Sequence, residues 1–290
     1  MLTSYIYKKQ EYIHNGQGPQ PFFWRAPTDN DYGAKLPTRL KAWREASYQT
    51  PKAESFNVSK DGDKSIVKVT YRFPQVDAQW EITYKVFANG IIKVDNRFVA
   101  EGTETPMIPR VGLRMQLSEI LNDLTYYGRG PEENYRDRRT SQFIGEYTTP
   151  IKDLYEPYIR PQENEHHTDI YWCALTTKQK AGLLFIADRT FELNASNYLL
   201  GSLDSGETID NGAPRTNETN HRHLTDPQPV KQVDMFIDYR MMGVGGDNSW
   251  GAIAHEPYLI RPGVENTIEY GFSIVPFDKK ADYKNLIYQY

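Results

Sequence analysis

The sequence predicts an all-β protein folded as one large antiparallel β-sandwich (a supersandwich). Three observations lead to this fold class. Apolar residues recur at every second position in many segments, helical periodicity is almost absent, and strand patterns nowhere alternate with helix patterns, so this chain does not encode a barrel of βα units. The 290 residues suffice for one large β-domain. We expect the sandwich to occupy residues 1–276 and residues 277–290 to form a polar tail.

The alternating segments are the predicted strands. In chain order they are 67–73, 80–86, a return strand from Ile92, 111–117, 170–175, 182–187, 191–198, 233–239 and 268–274. Asn89-Gly90 before Ile92 is typical of a hairpin turn. One short helix is predicted over 37–46, where Leu40 and Trp43 lie one turn apart. The segment 147–165 contains three prolines and is predicted to be a long surface connection.

Composition narrows the possible partners. The net charge of −4 argues against a nucleic-acid partner, which favours a basic surface. No apolar run approaches the roughly 20 residues that cross a bilayer, so no membrane partner is expected. Cys173 is the single cysteine, which rules out an internal disulfide and leaves the cellular compartment open.

Two segments contain clustered charges. Asp29, Asn30 and Asp31 follow Arg25-Ala26-Pro27; such side chains cap turns or bind hard cations, and because their spacing is not that of a calcium loop we expect capping. The segment 128–138 contains Glu132 and Glu133 among three arginines. A retaining glycosidase needs two facing carboxyl groups about 5 Å apart, and sequence neighbours rarely face each other, so we expect structural ion pairs.

A glycine-rich loop lies at 242–251. It lacks the GxGxxG spacing of a dinucleotide site and the Gly-Lys-Ser/Thr of a phosphate loop. Glycines permit a tight turn, and short polar side chains can hold it by bonds to the backbone. The residues predicted to support this loop are Gly245, Gly246, Asp247, Asn248 and Ser249. Trp250 is then either an exposed platform for a sugar ring or a core side chain behind the turn, and both alternatives stay open at this point.

The histidines occur as His166-His167 and as His221-Arg222-His223. Pairs on a strand can bind zinc, but Cys173 belongs to no Cys-x-x-Cys pair. We therefore expect structural hydrogen bonds and predict no metal site. A serine hydrolase is poorly supported because Gly-x-Ser-x-Gly is missing.

Several motifs occur in a specific order along the chain. They are Arg25-Ala26-Pro27 with Asp29-Asn30-Asp31, Gly128-x-Gly130-Pro131-x-Glu133-Asn134-Tyr135-x-Asp137-Arg138, Tyr155-x-Pro157-Tyr158 with Pro161-x-Glu163-Asn164, His221-Arg222-His223-Leu224, and Gly243-x-Gly245-Gly246-Asp247-x-Ser249-Trp250. Together they resemble the C-terminal domain (the small-chain-like fifth domain) of the large bacterial β-galactosidases of glycoside hydrolase family two. The resemblance runs from about Leu2 to Ile274, and it implies that more of the domain precedes Leu2.

The resemblance implies both a fold and a distribution of functions between two domains of the protein. The fold is a very large antiparallel sandwich related to galactose mutarotases. The acid/base and nucleophile glutamates of the family, which hydrolyse terminal non-reducing β-D-galactose residues, sit on a separate (β/α)₈ barrel, so no catalytic residue is expected here and the chain alone should be inactive. Trp250 would stack against the sugar. The barrel of the same protein is the implied partner, with a homo-oligomer at full length. The family's magnesium and sodium ions belong to the catalytic domain, so no cofactor is expected in this chain.

Two alternatives remain. A stand-alone mutarotase-like aldose epimerase needs a general acid and a general base flanking the anomeric carbon, for example a histidine and a glutamate that converge in a pocket. A structural assembly module would pack its sheet against the barrel or another subunit without touching sugar.

Overall fold

The structure, a computed structural model, describes residues 1–100, 107–204, 223–248, 250–262 and 267–288. Its strands are β1 Ile6–Tyr7, β2 Gln10–Glu11, β3 Gln20–Phe22, β4 Ala53–Asp61, β5 Lys64–Phe73, β6 Ala78–Val86, β7 Ile92–Ala100, β8 Arg110–Leu117, β9 Leu121–Gly130, β10 Phe143–Pro150, β11 His167–Thr177, β12 Gly182–Ser196, β13 Val233–Met241 and β14 Thr267–Phe277. Its helices are α1 Asp29–Gly33, α2 Leu36–Arg39, α3 Lys41–Tyr48, α4 Leu200–Leu203 and α5 Tyr283–Ile287. None of the helices in these ranges has the length and hydropathy of a membrane span.

A branched antiparallel sheet of 12 strands holds the described part of the chain together. Its main path is β10-β9-β11-β12-β14-β7-β6-β5-β4, and β13, β8 and β3 form a branch that leaves from β12. The branch arises because β12 has 15 residues. Its first part, through Ala187, pairs with β14, and its last part, from Glu192 to Ser196, pairs with β13. One strand therefore contributes to two layers. The antiparallel pairing throughout this sheet confirms the predicted all-β antiparallel class.

The core lies where the branch faces the main path. Phe23, directly after β3, places its ring 5.6 Å from Trp80, 5.5 Å from Phe98 and 5.1 Å from Trp43 (centroid distances). These rings come from β6, β7 and α3, so the contacts join both sheet layers and the helix. The buried indole of Trp80 donates to Asn96 at 3.0 Å, which satisfies its polar atom in the core.

Most predicted strands are found. The hairpin at Asn89-Gly90 is confirmed: Val86 pairs with Ile92, and Gly90 has φ +92°, a conformation that favours glycine. The predicted helix over 37–46 is present as α2 and α3, with a break at the buried Leu40.

Two predicted elements differ from the structure. The segments 182–187 and 191–198, predicted as two strands, belong largely to the single strand β12, because its polar middle is exposed where it crosses between layers. The predicted connection at 147–165 begins inside β10. Edge strands β4 and β10 were not predicted because they lack a buried alternating face. The segment after Pro276 contains the end of β14 and helix α5, whose partly buried side chains pack against a small cluster that includes Trp172 and Phe277.

Candidate functional site

Trp250 lies on the surface of the protein. Its side chain is 87% exposed, so the indole is not part of the core. Asn248 turns the backbone beside it, because its side-chain oxygen accepts from the amides of Trp250 at 2.9 Å and Ala252 at 3.4 Å. Asp247 instead contacts His255 Nε2 at 2.8 Å. Ser249 lies outside the described residues.

The glycines of this loop are required by close contacts. An added Cβ on Gly243 would lie 2.5 Å from the Asp137 carboxylate, and one on Gly246 would lie 2.8 Å from the carbonyl oxygen of Ala252. A Cβ on Gly245 would lie 3.0 Å from the same carboxylate of Asp137. The missing side chains therefore let an acidic group approach the loop backbone.

Asp137 is that acidic group. Its Oδ1 accepts from the amide of Val244 at 3.0 Å, and its Oδ2 accepts from the amide of Gly245 at 2.7 Å. Hydrogen bonds to a charged acceptor are stronger than neutral ones. The motif at 128–138 therefore holds the glycine-rich loop at 242–251 directly.

Arg25, which is buried, holds the carbonyl groups just before these amides. Its guanidinium donates to the carbonyl oxygens of Met242 at 2.6 Å and Gly243 at 3.0 Å. It also forms a bidentate pair with Asp31, at 3.0 and 2.7 Å. Asp31 in turn forms a capping box with Thr28 at the start of α1. The expected capping role of the Asp/Asn cluster is confirmed for Asp31, and the Arg25-Ala26-Pro27 motif also contacts the glycine-rich loop.

Glu133 in the central motif is a structural carboxylate. It accepts from the amide of Glu165 at 2.9 Å and also binds Arg138 and the hydroxyl of Tyr158. Glu132 is exposed. The predicted ion pairing of this motif is confirmed for Glu133.

His166 is completely buried, and both ring nitrogens are engaged. Nδ1 lies 2.8 Å from the side-chain oxygen of Asn194, and Nε2 lies 3.1 Å from Glu192. Burial lowers the pKa of His166, but the hydrogen bond and the charge of Glu192 raise it, and the net shift is upward.

His167 is also buried, but its ring nitrogens face backbone carbonyl groups. Its nitrogens lie 3.0 Å from the carbonyl oxygen of Glu165 and 3.3 Å from that of Pro131. Burial lowers the pKa of His167 to about 4, so the ring is neutral near pH 7. Both histidines of this pair thus make structural hydrogen bonds.

The other histidine group is only partly described. His221 and Arg222 lie outside the described residues, and His223 is exposed. Within the part of the chain that the structure describes, no cluster of three His, Cys, Asp or Glu side chains could hold a metal ion.

A cleft of about 960 Å³ lies away from the Trp250 loop. It runs across strands β6, β7, β14, β12 and β13 and reaches Arg136 and Arg139 in the loop between β9 and β10. Its lining is rich in charged side chains, including Glu192, while His166 sits behind Glu192 in the interior.

The residues that hold the loop were missed by sequence reasoning. Asp137 and Arg25 occur in the two other motifs, but their contacts join residues more than 100 positions apart. The available signal was that each of these two motifs contains a charged residue able to bind a distant backbone group. Nothing in the spacing indicates which backbone such a group binds.

By its fold, the protein is an antiparallel β-sandwich that presents an indole on a clamped surface loop. The chain belongs to the β-galactosidase small chain family, whose model matches residues 1–274. This confirms the resemblance seen in the motifs.

The β-galactosidase of Priestia megaterium is 33% identical over 259 residues, which are 89% of this chain and 23% of that protein. Those of Streptococcus thermophilus and Lactobacillus delbrueckii subsp. bulgaricus are 31% and 32% identical, each over 89% of this chain and 24% of theirs. The chain thus spans about a quarter of the length of these relatives.

Solved structures give more distant matches. Galactose 1-epimerase from Lactobacillus acidophilus has a TM-score of 0.41 at 9% identity, over 77% of this chain and 66% of that chain. The galactosidase domain of the α-galactosidase-sucrose kinase AgaSK has a TM-score of 0.41 at 10% identity, over 78% of this chain and 28% of that chain.

Proposed function

We propose that this chain forms one wall of the galactoside site of a β-galactosidase and that Trp250 stacks against the sugar. The supporting observation is the 87% exposed indole on a loop held by charged side chains. In this proposal the chemistry, a retaining hydrolysis of terminal β-galactosides, belongs to glutamates on a (β/α)₈ barrel outside the chain. The resemblance and the family membership support that division.

The clamped loop suits an indole that binds a sugar. Stacking on the apolar face of a sugar ring removes indole surface from water, and a fixed loop avoids the entropy cost of ordering it on binding. Arg25 and Asp137 supply this fixation at the backbone of residues 242–245. A supporting shell of this kind is what a binding residue needs to keep its geometry.

The proposal assigns the other components to the rest of the protein. The barrel is the proposed partner of this wall, and magnesium and sodium ions would bind there. A homo-oligomer is proposed for the full-length protein.

Replacing Trp250 by Ala in the full-length enzyme tests the proposed contact between its indole and the sugar. Burying a large apolar side chain is worth about 1.5–3 kcal/mol, so kcat/KM for a β-galactoside should fall about 10- to 100-fold. Trp250→Phe should recover part of the loss. The matched control is Phe143→Ala on the edge strand β10, where the side chain is 74% exposed, and it should leave kcat/KM unchanged. Unaltered kinetics in Trp250→Ala would instead favour an assembly module.

The isolated chain provides a second test. Purified without the rest of the protein, it should show no β-galactosidase turnover, because the proposed catalytic glutamates lie elsewhere. Turnover that persists through purification and is lost on mutation of a residue in this chain would overturn the proposal.

A mutarotase-like activity is the second candidate, and the pair formed by His166 and Glu192 beside the cleft is the observation behind it. The geometry supports it less well, since His166 is 0% exposed and both of its nitrogens are engaged. Polarimetry of α-D-galactose with the isolated chain tests it directly. Accelerated mutarotation that Glu192→Gln abolishes would establish it.

A further inference from the structure

The cleft across β6, β7, β14, β12 and β13 carries a different charge balance at its two ends. We call the end over β6, β7 and β14 the strand end. There each charge has a near partner of opposite sign: Lys85 lies 2.8 Å from Asp95, and Arg97 lies 3.5 Å from Glu269. These ion pairs leave little excess charge of either sign at the strand end.

We call the other end, where Arg136, Arg139 and Arg240 line the cleft, the arginine end. Arg139 contacts both oxygens of Asp169, at 2.9 and 2.8 Å. Arg129, behind it, donates to the same carboxylate at 2.8 Å. One carboxylate thus serves two guanidinium groups.

The carboxylate of Glu192 is also shared among several neighbouring groups. It accepts from the amide of Met241 at 2.7 Å and lies 3.1 Å from His166 Nε2. Arg136 reaches it only at 3.9 Å, although the Arg136 side chain is only 19% exposed. Burial lowers the pKa of Arg136; Glu192 raises it, while Arg240 and Arg139 lower it, and the net shift is downward. Arg136 therefore lines the cleft with a guanidinium group that Glu192 pairs only weakly.

We propose that the arginine end of the cleft binds a small oxyanion, the carboxylate or phosphate group of a ligand whose remaining part lies along the cleft. Guanidinium groups match planar and tetrahedral oxyanions with paired hydrogen bonds. The volume of about 960 Å³ is in the range of small-molecule sites and exceeds what a bare ion requires. None of the described residues of the Trp250 loop lines this cleft, so the site is separate from the proposed sugar wall.

Calorimetric titration of the purified protein at low ionic strength tests the site. The probes are inorganic phosphate, galacturonate as a carboxylated sugar, and galactose as the neutral control. We expect saturable binding of at least one anion, weakened by added salt, and none of galactose. Binding of phosphate alone would identify a phosphoryl ligand, and binding of galacturonate alone would identify a carboxylate.

Variants assign the binding to the arginine end. A hydrogen bond to a charged group is worth about 1.5–3 kcal/mol, so Arg136→Gln should weaken the anion about tenfold or more. Arg136→Lys should fall between the wild type and Arg136→Gln. Arg97→Gln, which removes a partly exposed arginine from the strand end of the same cleft, is the matched control and should leave affinity unchanged. Arg240→Gln repeats the test if Arg136→Gln lowers the melting temperature.

Three results would overturn this inference: no saturable heat with either anion, equal weakening by Arg97→Gln, or galactose binding with the same dependence on Arg136. Trp250→Ala should leave anion binding intact. A failure of the sugar-wall proposal would therefore be distinguishable from a failure of this one.

Discussion

Asp137 shows how a single side chain can organise a loop in which it does not lie. It accepts from two consecutive amides, those of Val244 and Gly245, while Arg25 binds the two carbonyl groups just before them. Four consecutive residues are thus held by charged partners from two other motifs. Trp250 follows a few residues later in the same loop, so we expect Asp137 and Arg25 to act as positioning residues for its indole.

Replacing Asp137 by Asn tests this role. Asn offers one acceptor oxygen where Asp offers two, and its amide group would face a backbone N–H. Hydrogen exchange at Val244 and Gly245 should accelerate about tenfold or more, since a bond to a charged group is worth about 1.5–3 kcal/mol.

The control for this experiment is Asp153→Asn, which alters an exposed carboxylate in the turn Ile151–Asp153. It should leave exchange at residues 244 and 245 unchanged. If Asp137→Asn also leaves that exchange unchanged, Asp137 does not position the loop.

At the level of elements, β12 and α5 show how the layers are joined and how the end of the chain packs on the sheet. β12 joins two layers because its two ends pair with different strands, β14 and β13. Helix α5 begins at the Asp282 cap and covers the far face of the sheet. Its Tyr283 packs against Phe277 at 5.1 Å and Trp172 at 6.2 Å (ring centroids).

Removing the Tyr283 ring should therefore destabilise the fold. Tyr283→Ala loses partly buried apolar area and should lower the free energy of unfolding by about 1–2 kcal/mol. Tyr288→Ala, in the same tail but 89% exposed, is the control and should change it by less than about 0.5 kcal/mol. Urea unfolding measures both, and equal effects would show that α5 is not docked in solution.

At the scale of the whole molecule, buried ionisable groups link stability to pH. The pKa of His167 is lowered by burial to about 4, against about 6.5 in an unfolded chain. Between these pH values the unfolded chain binds a proton at this ring and the folded chain does not, so acid favours unfolding. The stability that the neutral, buried His167 ring allows is present above pH 6.5, and it is lost as the pH falls toward 4.

His167→Gln isolates this contribution because glutamine does not titrate. The difference in unfolding free energy between wild type and variant should shrink by about 3 kcal/mol as the pH falls from 6.5 to 4. Urea unfolding of both proteins across this range measures it. A difference that is independent of pH would show that His167 titrates alike in the folded and unfolded chains.

The apolar alternation along the sequence was enough to predict an all-β antiparallel protein, because a two-residue period encodes a half-buried strand without reference to its partners. Ordered motifs were enough to indicate the family. The sequence did not predict that β12 is a single branching strand, since its exposed polar middle resembles a loop until its two pairings are known. From the residues alone, Trp250 also stayed undecided between core and surface, and only the family resemblance favoured the surface. That choice depends on where the loop lies, and the loop is placed by Arg25 and Asp137, whose contacts span more than 100 residues and form only when the chain is folded.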